Sequence, residues 1–576
     1  MRHTHLSRHF FGALFGLLFF ITIAAAQINE TEPNNTPATA QRIVLGATYL
    51  GKLSSGTPAD TADFFHFSLA NSGNIALRLK PQTPGTDSFS SWRVGVWDYA
   101  ANKNLLSFIV TPAEQTGAAI NLGLAAGNYN ISVTLNQGRV TDIPYLLTAT
   151  YVAANNYEQE FNDSPAAAQL INFGTEYVGR IQSRAAPAAA EFDYYKLDIT
   201  NSGNLTLRFK PQTPGSDYFS GWRVGLRDYA TDKELLSLVA TAGDPAGRTV
   251  SVGLTTGNYY IRVETSQGVV LNVPYLLTAT LVMGNTFEQE FNDSPATAQP
   301  VNFSTDYIAN LQFRPAPSAE FDYFKFSLAS QSNLALRLRP QTGSESDFNR
   351  WRVRLRDYAT DSELLNFTVN TFEPAGGTNR ISLPPGNYYI GVEAFAGSIF
   401  NVPYVLTVTP SVPMVEFIHT ALNYYFVTAS PTEIALLDTI PAFVRTGESF
   451  QVYPTFVVGT QGINRFYFDR VAAKQSRGSH FYTLVDSEIA AVVALNPSNT
   501  AESKLPFNEG VNSFAFVPGA AGLCAAGQRP VYRLFRGNLR FPDDPNHRFT
   551  TSLTIYNNLI ALGWDSEGVK FCAPTL

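Results

Sequence analysis

Three stretches decide the fold: Ser72-Gly-Asn-Ile-Ala-Leu-Arg-Leu-Lys-Pro-Gln-Thr-Pro-Gly85, Ser202-Gly-Asn-Leu-Thr-Leu-Arg-Phe-Lys-Pro-Gln-Thr-Pro-Gly215 and Gln331-Ser-Asn-Leu-Ala-Leu-Arg-Leu-Arg-Pro-Gln-Thr-Gly343. They are one sentence written three times. Asn204 to Phe209 alternates polar and apolar with period two, the pattern of a half-buried strand. Around each stretch the same words recur. A Trp-Arg-Val triplet begins at Trp92, Trp222 and Trp351, spaced 130 and 129 residues apart. Asp-Tyr-Ala follows at Asp98, Asp228 and Asp357, Gly-Asn-Tyr at Gly127, Gly257 and Gly386, and a closing Pro-Tyr strand at Pro144, Pro274 and Pro403. Such a period is too long for a solenoid or propeller blade and matches an independent sandwich domain. Gly, Pro and Asn punctuate the runs, and no long amphipathic helix intervenes. The fold class is therefore mainly β: three tandem antiparallel, jelly-roll-like β-sandwiches of roughly eight strands each. The repeated tryptophans read as core, the arginines after them as edge residues and the aspartates as turn residues.

The chain has 576 residues, room for about four domains. Hydrophobic residues make up 45% and charged residues 15%, enough apolar material for several cores and too much for disorder. Residues 1–26 read as a secretory signal: Arg2 and Arg8, an apolar run from Phe10 to Ile23, and Ala24-Ala25-Ala26 before Gln27. The formal charge is −7, or −9 once Arg2 and Arg8 leave with the signal. No basic stripe exists to neutralise phosphates, which excludes a nucleic-acid partner. No later run is long and apolar enough to span a membrane, so no transmembrane segment is expected after signal cleavage. The domain reading is 1–26 signal, 27–153, 154–283 and 284–412 sandwiches, and 413–576 a different module. In an exported chain the two cysteines, Cys524 and Cys572, are expected to form one disulfide; two buried free thiols are the alternative.

Each copy opens on an acidic segment. Copy two has Glu158-Gln-Glu160-Phe-Asn162-Asp163-Ser164-Pro165, and copy three has Glu288-Gln-Glu290-Phe-Asn292-Asp293-Ser294-Pro295. Copy one has Glu30-Thr-Glu32-Pro-Asn34-Asn35-Thr36-Pro37. Downstream come Asp63-Phe-Phe, Asp193-Tyr-Tyr and Asp322-Tyr-Phe. In an extended chain residues i and i+2 share a face, so Glu158 and Glu160 converge, Asn162 and Asp163 add oxygens at the turn, and Asp193 completes the set. Calcium takes six to eight hard oxygen ligands, and this set suits it. The other reading is a helix N-cap: Asp163-Ser164-Pro165 followed by alanines.

These segments, the Asp-aromatic-aromatic strand starts and the closing Gly-x-Tyr and Tyr-x-Leu strands resemble bacterial pre-peptidase C-terminal domains. The collagen-binding domains of secreted collagenases are related to these. The resemblance covers about residues 27–412. It implies that the acidic segment and a downstream aspartate pair hold calcium. The implied ligands are Glu30, Glu32, Asn34, Asp60 and Asp63 in copy one, and Glu158, Glu160, Asn162, Asp163 and Asp193 in copy two. In copy three they are Glu288, Glu290, Asn292, Asp293 and Asp322. Copies two and three depart from the pair, keeping one aspartate each with Glu191 or Glu320 two residues before, and copy one has Asn35 where the others have aspartate.

From residue 413 three shorter units follow. The last has Val531-Tyr-Arg-Leu-Phe535, His547-Arg-Phe-Thr-Thr-Ser552, a helix over Leu553 to Leu562, Gly563-Trp564 and Glu567-Gly-Val569. The middle unit repeats it with Asn464 to Phe468, His480-Phe-Tyr-Thr483, a helix around Ser487 to Leu495, and Glu509-Gly-Val511. The first diverges: Val415 to His419, Tyr425 to Thr428 and a helix around Thr432 to Asp438. Each reads strand, strand, short helix, strand. The module resembles a domain of unknown function at the C-termini of secreted bacterial proteins, with Tyr-Arg-Leu-Tyr…His-Phe-Tyr-Thr…Gly-Trp…Glu-Gly-Val repeats. That family implies no established chemistry.

Only His66, His419, His480 and His547 remain after the leader, and neither a His-Glu-x-x-His helix nor a Gly-x-Ser-x-Gly elbow occurs. Tyr425 stands where His480 and His547 stand in the other units, which removes a three-histidine metal site. Carboxylate pairs abound, so counting alone leaves a glycosidase open. No stretch outside the repeats has the length of a catalytic domain. The sequence points to an extracellular binding or accessory protein for a matrix, envelope or polysaccharide ligand. The alternative is a hydrolase, or hydrolase subunit, active in the C-terminal module.

Overall fold

The computed structural model describes residues 27–576 apart from 57–58, 183–190, 213–220, 268–272, 313–319, 342–348, 397–400, 469–477, 501–504, 538–539 and 541–544. The segment expected to be a secretory signal, 1–26, lies outside the described residues.

Copy two shows the common plan. One sheet runs Gln169–Leu170, Asp193–Ile199, Gly257–Gln267, Gly221–Asp228, Glu234–Thr241; the other runs Glu176–Gly179, Tyr275–Met283, Gly203–Pro211, Arg248–Leu254. The thrice-repeated Ser202–Gly215 stretch contains the strand Gly203–Pro211, paired antiparallel on both sides. Leu205, Leu207 and Phe209 point inward and are fully buried, while Arg208 faces out. They meet Trp222, Val224 and Leu226 from the facing sheet. Copies one and three repeat this order, with Trp92 and Trp351 equally buried. Truncating such a tryptophan costs roughly 3–5 kcal/mol, so each anchors its own core.

The mainly β, antiparallel sandwich reading is borne out, with two refinements and one correction. The sandwiches have nine strands, ten in copy one, because two-residue edge strands add to the count. These edges, such as Gln169–Leu170 beside Asp193–Ile199, pair in parallel, so the sheets are not wholly antiparallel. The arginines after the tryptophans lie on an interior strand rather than an edge. Arg223 is on Gly221–Asp228, between two partners, with its guanidinium held on the outer face by Glu234 and Glu264. The turn reading of the aspartates holds, since Asp228 Oδ1 accepts from Thr231 N at 2.8 Å.

The C-terminal body has three ββαβ units, with helices Pro431–Leu437, Asp486–Leu495 and Leu553–Ala561. The first unit makes a three-stranded sheet. The other two share a six-stranded one through Phe516 and Cys572. Cys524 and Cys572 are joined, 48 residues apart with Cα atoms 5.7 Å apart. Cys572 packs with Tyr453, Val457, Phe516 and Ala335 of copy three, so the bridge lies under the joint with the third sandwich. Thiol labelling of the unfolded, unreduced chain is expected to find no reactive cysteine. Reduction is expected to cost the body roughly 4 kcal/mol by releasing that loop; an unchanged melting temperature after reduction would count against it. Among the described residues no helix is long and apolar enough to cross a membrane.

Candidate cation centres and binding faces

The acidic segments fold onto the start of the Asp-aromatic-aromatic strands. The carbonyl of Asn162 accepts from Tyr194 N at 2.9 Å, and Asn34 and Asn292 do the same to Phe64 and Tyr323. This sets each aspartate beside its glutamates. Glu158, Glu160 and Glu191 each bring an oxygen within 4.8 Å of the others, and so do Glu30, Glu32 and Asp63. Copy three has two overlapping groups, Glu288–Glu290–Asp322 and Glu290–Asp293–Glu320. The asparagines orient the glutamates: Asn162 Nδ2 donates to Glu158 Oε1 at 3.1 Å, and Asn292 Nδ2 to Glu288 Oε1 at 2.9 Å. The other Glu158 oxygen accepts from Arg180 N at 2.8 Å. From the second sheet the tyrosine of each closing Pro-Tyr strand reaches in. Tyr404 donates to Asp322 at 2.5 Å, and Tyr145 and Tyr275 donate likewise to Asp63 and Asp193.

Burying carboxylates together raises their proton affinity. Burial first, then Glu30 and Asp60, pushes Asp63 up to about 9, and burial moves Glu30 to about 7. Asp193 and Glu288 are held well above the usual range by burial and their acidic neighbours. Glu158 is raised as well, but Arg180 lowers it; copy three has Asn310 at that place. The fit to a cation rests on oxygens. Oδ1 of Asn34, Asp63, Asn162, Asp193 and Asn292 is buried and accepts no hydrogen bond. Buried oxygens are normally paired, and a hard cation is what would pair these.

Asp60, Asp163 and Asp193 join no three-carboxylate group among the described residues, yet Asp60 and Asp193 still lie against the clusters: after burial, Glu32 raises Asp60 and Glu158 raises Asp193. Glu191 and Glu320, which the family pattern sets aside, belong to the clusters. Gln312, which carries no local sequence signal, is buried with its main-chain N–H donating to Glu320 at 3.1 Å. The helix-cap reading is separate from the cluster. The short 3-10 turns Pro165–Ala167 and Pro295–Thr297 take Ser164 and Ser294 as N-caps, not the aspartates.

A second feature repeats on the outer face of the first sheet. In copy three a cavity of about 630 Å³ is lined by Phe321, Tyr323, Tyr358, Tyr389, Arg354 and Arg356 among others. Tyr323 and Tyr389 lie 5.8 Å apart, with Tyr358 edge-on to Tyr389 at 6.1 Å. Copy two repeats this with Tyr194, Tyr260 and Tyr229 at 5.5 and 6.2 Å. Copy one keeps the outer Tyr99, edge-on to His66 at 5.3 Å, around a smaller hollow of about 340 Å³.

Among the described residues His480 and His547 join no group of three metal-ligating side chains. His480 packs edge-on to Phe426 at 4.7 Å and tilted on Tyr467 at 5.0 Å, and His547 packs tilted between Phe481 and Phe535 at 4.9 and 4.8 Å. Burial, then the arginine beside each, lowers both to about 3. Their unfolded value is about 6.5. Stability is therefore present above pH 6.5 and is lost as pH falls toward 3. The body's melting temperature is expected to drop steeply over that window, less steeply after His547→Phe. An acid profile unmoved by that change would refute the assignment.

Residues 508–574 match the family described as Domain of unknown function (DUF5648). No curated protein matches the chain. Among solved structures, the pre-peptidase C-terminal domain of collagenase from Bacillus anthracis matches at 20% identity, covering 19% of this chain and 94% of that one, with a TM-score of 0.15. The M60 catalytic domain with CBM51-1 and CBM51-2 of Clostridium perfringens ZmpB matches at 7% identity, over 60% and 55% of the chains, with a TM-score of 0.15. An archaeal viral triple jelly roll matches at 11% identity, over 62% and 83%, with a TM-score of 0.18. Likenesses this slight carry no argument about function.

Proposed function

We propose that the chain is an exported binding or accessory protein. In this reading, three pre-peptidase-type sandwiches, locked by calcium at their acidic segments, present aromatic faces to an extracellular polysaccharide or protein. The observation that carries it is one exposed tyrosine repeated on the outer face of each copy, Tyr99, Tyr229 and Tyr358, set edge-on to His66 and to the buried Tyr260 and Tyr389, beside ion-paired arginines in copies two and three. Aromatic side chains give large contact area at low entropic cost and dominate binding hot spots. Three faces in one chain raise avidity with no new contact. Glu158, Glu160, Glu191 and Asn162, with their counterparts, would hold the ion, and its chemistry here is structural: it neutralises carboxylates that otherwise repel.

The test is a glycan and extracellular-protein array probed with the full chain and with Tyr99→Ala/Tyr229→Ala/Tyr358→Ala. Retained binding to whatever wild type captures, after all three changes at unchanged melting temperature, would remove the sheet faces from the proposal.

A further inference from the structure

The three C-terminal units are joined by one repeated device, and its variation singles out a site. Strand registers make Glu416, Arg465 and Arg533 equivalent, and likewise Thr446, Glu509 and Glu567. At the joint of the second and third units Arg533 binds Glu488, in the first turn of the second helix, through two hydrogen bonds of 2.8 Å. It also binds Glu567 at 2.7 Å. Lys570 adds its ammonium to Glu488 at 2.9 Å. Two carboxylates meet two cations.

The joint of the first and second units copies the carboxylates and the arginine. Arg465 binds Glu433, in the first turn of the first helix, at 2.7 and 2.8 Å, and its Nε lies 3.0 Å from Glu509. The lysine is missing. Its register position is Asn512, whose Oδ1 is buried and accepts no hydrogen bond. Among the described residues two carboxylates here face one cation. Beside them opens a cavity of about 460 Å³, lined by Glu433, Glu509, Tyr425, Phe426, Tyr467 and His480 among others. His480 Nε2 lies 3.5 Å from Glu509, but burial and the neighbouring Arg465 hold its proton affinity well below the ordinary imidazole range.

We propose that this cavity binds an amino sugar through its unsubstituted ammonium group. The ammonium sits against Glu433, the counterpart of the Glu488 that Lys570 binds in the neighbouring joint, with Glu509 on the same cavity wall. The aromatic rings attract the cation and offer faces for the sugar's C–H groups. The volume suits a ring rather than a single butylammonium chain, which would leave the cavity largely to water. The proposal is independent of the sheet faces.

The test is calorimetric titration of the full chain with glucosamine and its β-1,4 oligomers, with their N-acetylated forms, and with a lysine-containing peptide. Binding is expected for the free amines, at least tenfold weaker for the N-acetyl forms and for the peptide. Asn512→Lys supplies the ammonium from the protein and is expected to weaken amine binding at least tenfold, with the melting temperature kept or raised. Glu509→Gln should weaken it too, and Tyr358→Ala should leave it unchanged. No binding of any amine, as when another part of the chain supplies the cation, overturns the proposal. So do equal binding of N-acetyl forms, preference for the peptide, wild-type affinity in Asn512→Lys, or loss of binding in Tyr358→Ala.

Discussion

In EDTA the sandwiches are expected to lose thermal stability as pH rises from 5 to 9, and millimolar calcium is expected to abolish that loss. The sign follows from the acidic clusters. Unfolded Asp and Glu titrate near 3.9 and 4.3. In the fold Glu30 stands at about 7 and Asp63 at about 9, both raised chiefly by burial. Between those limits the folded state holds more protons than the unfolded state, so stability falls with rising pH. The contribution is complete below about pH 4 and is lost as pH passes 7 and then 9. A cation replaces the protons and removes the dependence. At one hundred times its dissociation constant it stabilises by about 2.7 kcal/mol, a shift on the order of 10 °C for a sandwich of this size. Because the chain holds several cores, the transitions must be assigned by variants rather than read as one. Glu288→Gln with Asp322→Asn is the informative pair. It removes buried charge, so the copy-three transition should rise at pH 8 without calcium and cease to respond to it. An EDTA profile flat from pH 5 to 9, or calcium leaving the fall in place, would end the calcium reading and leave the clusters as protonated carboxyls.

How much of this was legible in the sequence depends on how far apart the partners lie. Period-two alternation marked Gly203–Pro211 as a strand because each residue's face is set by its immediate neighbours. Two of the three helices of the C-terminal body are marked by a similar local signal: Ser430 and Ser552 cap their own turns, accepting from Glu433 N and Ile555 N at 3.3 Å, whereas the middle helix follows Val485 with no side-chain cap. Glu191 and Glu320 could have been found by the same parity rule, since each lies two residues before its aspartate. They were set aside because the family pair is spaced differently. Strand order was not legible, so Arg223 was placed on an edge. Nor was the closure of the C-terminal ring. There Glu416 stands where the other units have arginine, and its partner Arg548, at 2.8 Å, comes from 132 residues away. Nothing near Glu416 announces a reversed ion pair. Two-residue edge strands escape for a different reason: they carry too few residues to show a period.

Gly253→Ser is expected to spring the joint between the second and third sandwiches while leaving both folded. A Cβ at Gly253 would sit 1.5 Å from the main-chain oxygen of Glu288, and one at Gly123 would sit 1.7 Å from that of Glu158. The next copy's acidic segment therefore lies directly on these glycines. Glu290 N donates to Gly253 O at 3.1 Å, as Glu160 N does to Gly123 O at 3.4 Å. Phe161 packs on the core of copy one and Phe291 on that of copy two, each ring under a lysine ammonium at 3.5 Å, from Lys103 and Lys233. Copy three supplies the control. Its equivalent residue is Ser382, exposed, and no further copy follows. There the body is held through Asn333 instead, which binds Thr575 O at 3.0 Å and Tyr453 Oη at 2.7 Å. Glycine stands where a copy docks and serine where none does. A serine at 253 must push backbone rather than a flexible side chain, so the hydrogen bond to Glu290 and the seat of Phe291 are lost together, roughly 2–4 kcal/mol of joint. Cleavage between 284 and 290 by an added protease should accelerate at least tenfold. Calcium uptake at copy three should weaken with it, because Glu288 and Glu290 ride on the displaced segment. Ser382→Gly should change neither. Equal cleavage rates and equal calcium uptake in Gly253→Ser and wild type would show that the acidic segment holds to its own sandwich without the preceding one.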